Sequence, residues 1–151
     1  MIKSIVETHI KVSNLENSIS FYEKLGLKLA HVIEEKRRAF FFLGKEKNML
    51  GIREVPQGEV IRDHFALGVN INDLEKSISW LKSNNFLVSK TFFGKEPSEP
   101  IVHAWMPAAS VYFEDPDGHS LEFIAILEDE PIPTNEIFYL SEWRKMQKNT
   151  E

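Results

Sequence analysis

One stretch of this chain occurs twice. Thr8-His9-Ile10-Lys11-Val12, followed by Leu15-Glu16-Asn17-Ser18-Ile19-Ser20, returns as Asp63-His64-Phe65-Ala66-Leu67, followed by Leu74-Glu75-Lys76-Ser77-Ile78-Ser79. A six-residue pattern with one mismatch, each time behind a histidine in a short apolar run, marks an internal repeat. A repeat restricts the fold to what a duplicated module can build. The stretch from histidine to Leu-Glu is four residues longer in the second copy. Further on, Ala39-Phe40-Phe41-Phe42 matches Ser110-Val111-Tyr112-Phe113 in character. Each passes through a polar turn, Gly44-Lys45-Glu46-Lys47-Asn48 or Asp115-Pro116-Asp117-Gly118-His119, into Met49-Leu50-Gly51-Ile52 or Ser120-Leu121-Glu122-Phe123. Here the offset is constant, which makes Gly51 the counterpart of Glu122.

Each half reads as one strand, one helix and further strands ending in a hairpin. Residues 4–12 alternate as a strand. Asn14 or Ser13 then supplies an N-cap, and Leu15, Ile19, Phe21 or Tyr22, and Leu25 form an apolar stripe stopped by Gly26. Strands are expected over 27–34, 39–43 and 49–55, with Pro56-Gln57-Gly58 linking the halves. The second half repeats this with a strand over 63–70, a helix from Asn72 or Asp73 to Asn84, and a strand over 86–93. A surface loop follows over 94–100, then strands over 109–114 and 120–127. Asp115-Pro116-Asp117-Gly118 is a turn signal, because Pro pre-sets φ and Gly accepts positive φ. Past Leu127 the repeat ends in an acidic, Pro-punctuated tail whose Ser141-Glu142-Trp143-Arg144-Lys145 resembles a short capped helix. The tail is expected to pack over one half or to reach a second subunit.

With 42% hydrophobic residues, eleven of them Phe, a chain of 151 residues can build a proper core. A net charge of −5 with no basic stripe argues against nucleic acid as a partner. The absence of cysteine excludes disulfides, thiolate ligands and a cysteine nucleophile. Met1-Ile2-Lys3-Ser4 opens directly into the strand pattern, and no apolar run approaches the roughly 20 residues of a membrane span. The expectation is a cytoplasmic protein without membrane contact.

Side chains alternate across a strand, so His9 and Lys11 share the face opposite Ile10 and Val12. The same parity groups His64, Ala66 and Gly68. If Leu121 and Phe123 belong with the helices, Glu122 and Ile124 share the face of His64, and Met49 and Arg53 share that of Gly51. A pseudo-twofold between the copies would bring His9, His64, Glu122 and position 51 towards a common centre. Two imidazoles and a carboxylate, with glycine at the fourth corner, suit one divalent metal: Mn, Fe, Co, Ni or Zn. Such a set leaves positions for water and a chelating substrate. A solitary strand histidine is more commonly a packed residue, and it is the matching placement in both copies that favours ligation. His31, His103 and His119 have no repeat partner; His119 is expected to be structural or solvated, and His103 to lie outside the pocket.

These residues carry a resemblance. The two histidine strands, Asn14 to Tyr22 with Leu25-Gly26, and Tyr112-Phe113-Glu114-Asp115-Pro116-Asp117-Gly118-His119-Ser120-Leu121-Glu122 are similar to the vicinal oxygen chelate superfamily. That superfamily contains glyoxalase I, fosfomycin- and bleomycin-resistance proteins and extradiol dioxygenases. The resemblance spans about residues 4–127. It implies an α+β fold in which two tandem βαβββ modules, 1–57 and 58–127, form a cup-shaped mixed sheet around a central cavity. The tail, 128–151, completes one structural domain. It also implies a homodimer and a divalent metal on His9, His64 and Glu122. Glyoxalase I has a glutamate where this chain has Gly51, which points away from the glyoxalase reaction; Glu7 and Glu54 are expected to have the wrong strand parity to replace it. Fosfomycin-resistance enzymes carry a basic residue soon after the last ligand, where this chain continues with the acidic, Pro-rich Ile126-Leu127-Glu128-Asp129-Glu130-Pro131, which points away from the fosfomycin reaction.

The leading expectation is a metal-dependent enzyme of the lyase or transferase kind acting on a small-molecule substrate. Lys11 and Arg53 would clamp an anionic substrate, and Phe41, Gly51, Trp105, Met106 and Tyr112 would line the pocket. No residue stands out as a dedicated base. Two other classes remain open: a non-catalytic protein that sequesters a drug, as in bleomycin resistance, and an extradiol-type dioxygenase.

Overall fold

The computed structural model describes residues 1–45 and 47–148. Glu46 of the first polar turn and the last three residues of the tail lie outside the described residues. The first module runs β1 (Glu7–Val12), α1 (Leu15–Leu25), β2 (Lys28–Ile33), β3 (Arg38–Leu43) and β4 (Asn48–Glu54). The second runs β5 (His64–Gly68), α2 (Ile71–Ser83), β6 (Leu87–Val88), β7 (Ile101–His103), β8 (Ala108–Glu114) and β9 (Ser120–Ile126). The tail adds β10 (Ile137–Tyr139) and α3 (Leu140–Lys148). The fold class is α+β, with two mixed sheets ordered β1-β4-β3-β2 and β10-β7-β8-β9-β5. Among the described residues no helix is long and apolar enough to cross a membrane.

The chain divides into two compact units. One comprises Met1–Asp63 together with Asp115–His119; the other comprises His64–Glu114 and Ser120–Glu151. In the first unit, Asn14 caps α1 by accepting from the Asn17 N–H at 2.8 Å. Gly26, at φ 107°, ends the helix in the left-handed conformation that a Cβ disfavours. Leu15, Ser18, Tyr22 and Leu25 form the buried stripe of α1. It meets Ile10, Val12, Phe41, Leu50 and Ile52 of the sheet, with the Tyr22 and Phe41 rings 5.6 Å apart.

The Asp-Pro-Asp-Gly-His turn is counted with this unit although the second repeat encodes it. Asp115 Oδ1 accepts from the Asp117 and His119 N–H groups at 3.0 and 2.9 Å, closing the turn on its own side chain. Asp115 Oδ2 accepts from the buried Tyr22 hydroxyl at 2.8 Å. Burial pushes the Asp115 carboxyl up, opposed by that hydroxyl and by His119. His119 is fully buried; its Nδ1 accepts from the Asp63 N–H at 3.0 Å and its Nε2–H donates to the Lys11 carbonyl at 2.7 Å. The expected structural role of His119 is what the contacts show.

In the second unit, α2 begins earlier than expected, capped at Asn70 rather than at Asn72 or Asp73. Asn70 O accepts from the Asp73 and Leu74 N–H groups, which places Asp73 in the first turn where the helix dipole favours an acid. The counterpart of β2 is split. β6 pairs with β8 only through Leu87–Glu114 and Val88–Phe113, and β7 pairs further along the same edge, Ile101 to His103 against Ser110 to Ala108. The strand expected over 86–93 therefore shrinks to two residues. After the Ser89 N–H bonds Tyr112 O, the chain leaves the ladder and turns tightly at Phe93-Gly94. β10 extends the sheet by pairing with β7, and α3 packs from there through the buried Leu140 and Trp143.

Both modules pair their first strand in parallel with their last, but in different register. His9 stands opposite Gly51, whereas His64 stands opposite Ser120 and Ala66 opposite Glu122. The slip is two residues. A slip of one would turn every side chain to the other face, and a slip of two leaves the faces unchanged.

Candidate functional site

In the second unit His64 and Glu122 are diagonal neighbours on one face of β5 and β9. His64 Nδ1 donates to the Ser120 carbonyl at 2.9 Å, and its Nε2 lies 3.1 Å from Glu122 Oε2. A carbonyl oxygen only accepts, so Nδ1 carries the proton and the lone pair of the neutral ring sits on Nε2. That lone pair faces a buried carboxylate, an arrangement that needs a positive charge between them, either a proton or a metal ion. A histidine whose outer nitrogen is held by a backbone carbonyl is the usual state of a metal ligand. His64 and Glu122 thus offer a divalent ion one nitrogen and one carboxylate donor.

Tyr112 stands directly across from Glu122 on β8 and donates its hydroxyl to Glu122 Oε1 at 3.1 Å. His103 Nε2–H in turn donates to the Tyr112 oxygen at 2.7 Å. Burial, then the Glu122 charge, holds the Tyr112 phenol well above its ordinary range, so it remains a donor. Burial lowers His103, with Glu122 opposing. Contrary to expectation, His103 belongs to this cluster. The exposed Phe93 joins it, its ring 5.0 Å from that of His103 and 5.5 Å from that of Tyr112. Trp105 and Met106 lie exposed in the turn between β7 and β8, which excludes core packing for Trp105. Among the described residues neither hydrogen-bonds to or stacks on His64, Tyr112 or Glu122.

In the first unit the His9 ring lies over Gly51. A Cβ at position 51 would sit 2.3 Å from His9 Nδ1, so only glycine admits the ring where it is. His9 Nε2 contacts the Glu7 carboxylate. Glu7 therefore shares the face of His9, two residues along β1, and the expectation of wrong parity fails for it. Glu54 does lie on the other face: it accepts from the Leu15 N–H at 2.7 Å and from Arg37 Nε at 2.9 Å. The pocket assignment of Phe41 also fails. Phe41 is fully buried against Tyr22, and its neighbour Phe40, opposite Gly51, meets the His9 ring edge-on at 5.7 Å. Lys11 and Arg53 do line a shared concavity of 520 Å³ with His9, Ile10, Arg38, Ile61 and Asp63.

Of the three expected ligands, the structure pairs His64 with Glu122 and gives His9 the Glu7 carboxylate. Among the described residues no group of three or more His, Cys, Asp or Glu is assembled as a metal cluster.

Residues 4–123 match the family model of the glyoxalase/bleomycin resistance protein/dioxygenase superfamily. The chain belongs to this superfamily. Among its relatives is a metallothiol transferase FosB of Staphylococcus saprophyticus, 30% identical over 127 residues that cover 81% of this chain and 76% of the relative. The FosB of Staphylococcus haemolyticus is 32% identical over 132 residues, covering 81% and 83%. A solved integron cassette protein from the Halifax Harbour sewage outfall metagenome shares 32% identity with a TM-score of 0.71, over 83% of this chain and 100% of that one. The fosfomycin resistance protein FosX of Listeria monocytogenes, 16% identical with a TM-score of 0.64, covers 85% of this superfamily member and 97% of itself and shares its fold.

Proposed function

We propose that the protein is a metal-dependent transferase that joins a thiol to a small-molecule electrophile, with His9, His64 and Glu122 as ligands to one divalent ion among Mn, Fe, Co, Ni and Zn. The His64–Glu122 pair carries the reading: an imidazole lone pair and a carboxylate meet at 3.1 Å, with the imidazole tautomer set by Ser120. The relatives named metallothiol transferase supply the reaction class. The ion, when bound, supplies Lewis acidity towards an oxygen of the electrophile. The chain's own residues prepare that centre. Ser120 orients His64, and Tyr112, steadied by His103, orients Glu122 and blocks rotation of its carboxylate. A homodimer in the cytoplasm completes the proposal.

The test is the metal content of protein purified without chelator, beside His64→Ala, followed by thiol consumption with a panel of small electrophiles that includes fosfomycin. About one divalent ion per chain, lost in His64→Ala, together with metal-dependent thiol consumption, is the expected result. Protein that neither carries nor takes up any of the five metals overturns the reading in favour of a sequestering protein. Iron with oxygen uptake on catechols overturns it in favour of a dioxygenase.

A further inference from the structure

His9 and His64 each meet a carboxylate through Nε2, but the two carboxylates come from different places in the repeat. His64 Nε2 faces Glu122 of β9, the last strand of its repeat, at 3.1 Å. His9 Nε2 contacts Glu7, two residues before it on β1. The counterpart of Glu122 in the first copy is Gly51, directly opposite His9 on β4, where a Cβ would sit 2.3 Å from His9 Nδ1. With the ring seated there, edge-on to Phe40, position 51 has no room for a side chain. A carboxylate for His9 has to come from elsewhere on that face. β1 itself supplies it, because residues i and i+2 of a strand point the same way. The second copy has Arg62 two residues before His64, so Glu7 is not a feature that the repeat carries in both halves. An ion pair whose side chains are 46% and 40% accessible adds little to stability. The same exposure leaves both donors open to a dissolved ion.

We infer that Glu7 is a fourth ligand of the divalent ion proposed for His9, His64 and Glu122, in place of the side chain that position 51 cannot carry. The inference rests on the three-ligand reading and extends it. An imidazole nitrogen against a carboxylate oxygen needs a positive charge between them, and a divalent ion supplies it to both donors at once. Two carboxylates balance the two charges of the ion. With two imidazoles they leave a six-coordinate centre two open positions rather than three, enough for one chelating small molecule.

The experiment is titration of the chelator-stripped full chain with Co(II). Affinity is read by competition with a chromogenic chelator, and the ligand set by the visible absorption of the bound ion. Wild type is compared with Glu7→Gln, Glu7→Ala, His64→Ala and Glu35→Gln, which removes an exposed charge elsewhere in the first unit. Both Glu7 variants are expected to bind Co(II) about tenfold or more weakly, at least the loss that follows removal of an outer-shell partner. Their spectra should differ from that of wild type, and Glu35→Gln should match it. Thermal unfolding separates loss of a ligand from loss of fold. Without metal the Glu7 variants should melt within about 4 °C of wild type, and Co(II) should raise their midpoints less. Wild-type affinity and spectrum in both Glu7 variants, with uptake lost in His64→Ala, would overturn this inference alone and leave three ligands. Weaker binding with the wild-type spectrum would make Glu7 only a partner that orients His9, and would also overturn it. No uptake by wild type would overturn the three-ligand reading and this inference together.

Discussion

At the scale of single residues, two glutamates and two phenylalanines show what alternation can and cannot tell. Glu7 and Glu54 differ in parity, and the structure separates them accordingly, one beside His9 and the other beneath α1. Three consecutive phenylalanines, Phe40 to Phe42, erase the apolar-polar contrast from which a face is read, so nothing in their composition tells Phe40 from Phe41. Only the register against Gly51 does. Phe93 left no signal at all. It takes φ 51° beside Gly94 at φ 83°, inside a turn closed by Phe92 N–H to Lys95 O and its reciprocal. That is the conformation hairpins give to Asn-Gly. Phe93→Asn and Phe93→Ala both lose the ring contacts with His103 and Tyr112, but Asn tolerates the left-handed region and Ala does not. The Asn variant should therefore be more stable than the Ala variant by about 1 kcal/mol, roughly 2–4 °C in thermal midpoint. Equal midpoints would show that the turn is unstrained.

At the scale of elements, α1 and the last hairpin were legible because cap, stripe and turn chemistry agree there, whereas α2, whose Asn70 makes no side-chain cap bond, was legible in its stripe but not in its start. Register was not, because alternation fixes a face only modulo two. The start of α1 shows how an element is secured from outside itself. Glu54 accepts from the first N–H of α1 and from two nitrogens of Arg37, whose backbone is left-handed at φ 47°. The Arg37 contact, followed by the Leu15 N–H, brings the Glu54 carboxyl down to about 2. In the unfolded chain it titrates near 4.3. Between those values the unfolded state binds more protons, so this contribution is complete above about pH 4.3 and disappears as the pH falls towards about 2. Thermal midpoints of wild type and Glu54→Gln should differ at pH 6 and converge by about pH 2. A gap that persists at pH 2 would mean that Glu54 acts by packing alone.

At the scale of the whole molecule, the duplication was plain in the sequence, along with the faces that His9, His64 and Glu122 occupy. What it concealed is that the two copies are not self-sufficient. The first unit includes Asp115–His119, and with that turn go the partners of Tyr22, Ser13, Asp63 and Lys11 O. A fragment of residues 1–63 lacks them all, and the buried Tyr22 hydroxyl alone, left without its acceptor, costs about 1–3 kcal/mol. It is expected to be unfolded by circular dichroism, and a cooperative melt of the isolated fragment would refute this. The borrowed turn also sets a timetable. On the ribosome the first repeat emerges complete in sequence yet short of four anchoring bonds, and it must wait for residue 119 to leave the exit tunnel. The half of the protein that is made first cannot finish until most of the second has followed it out.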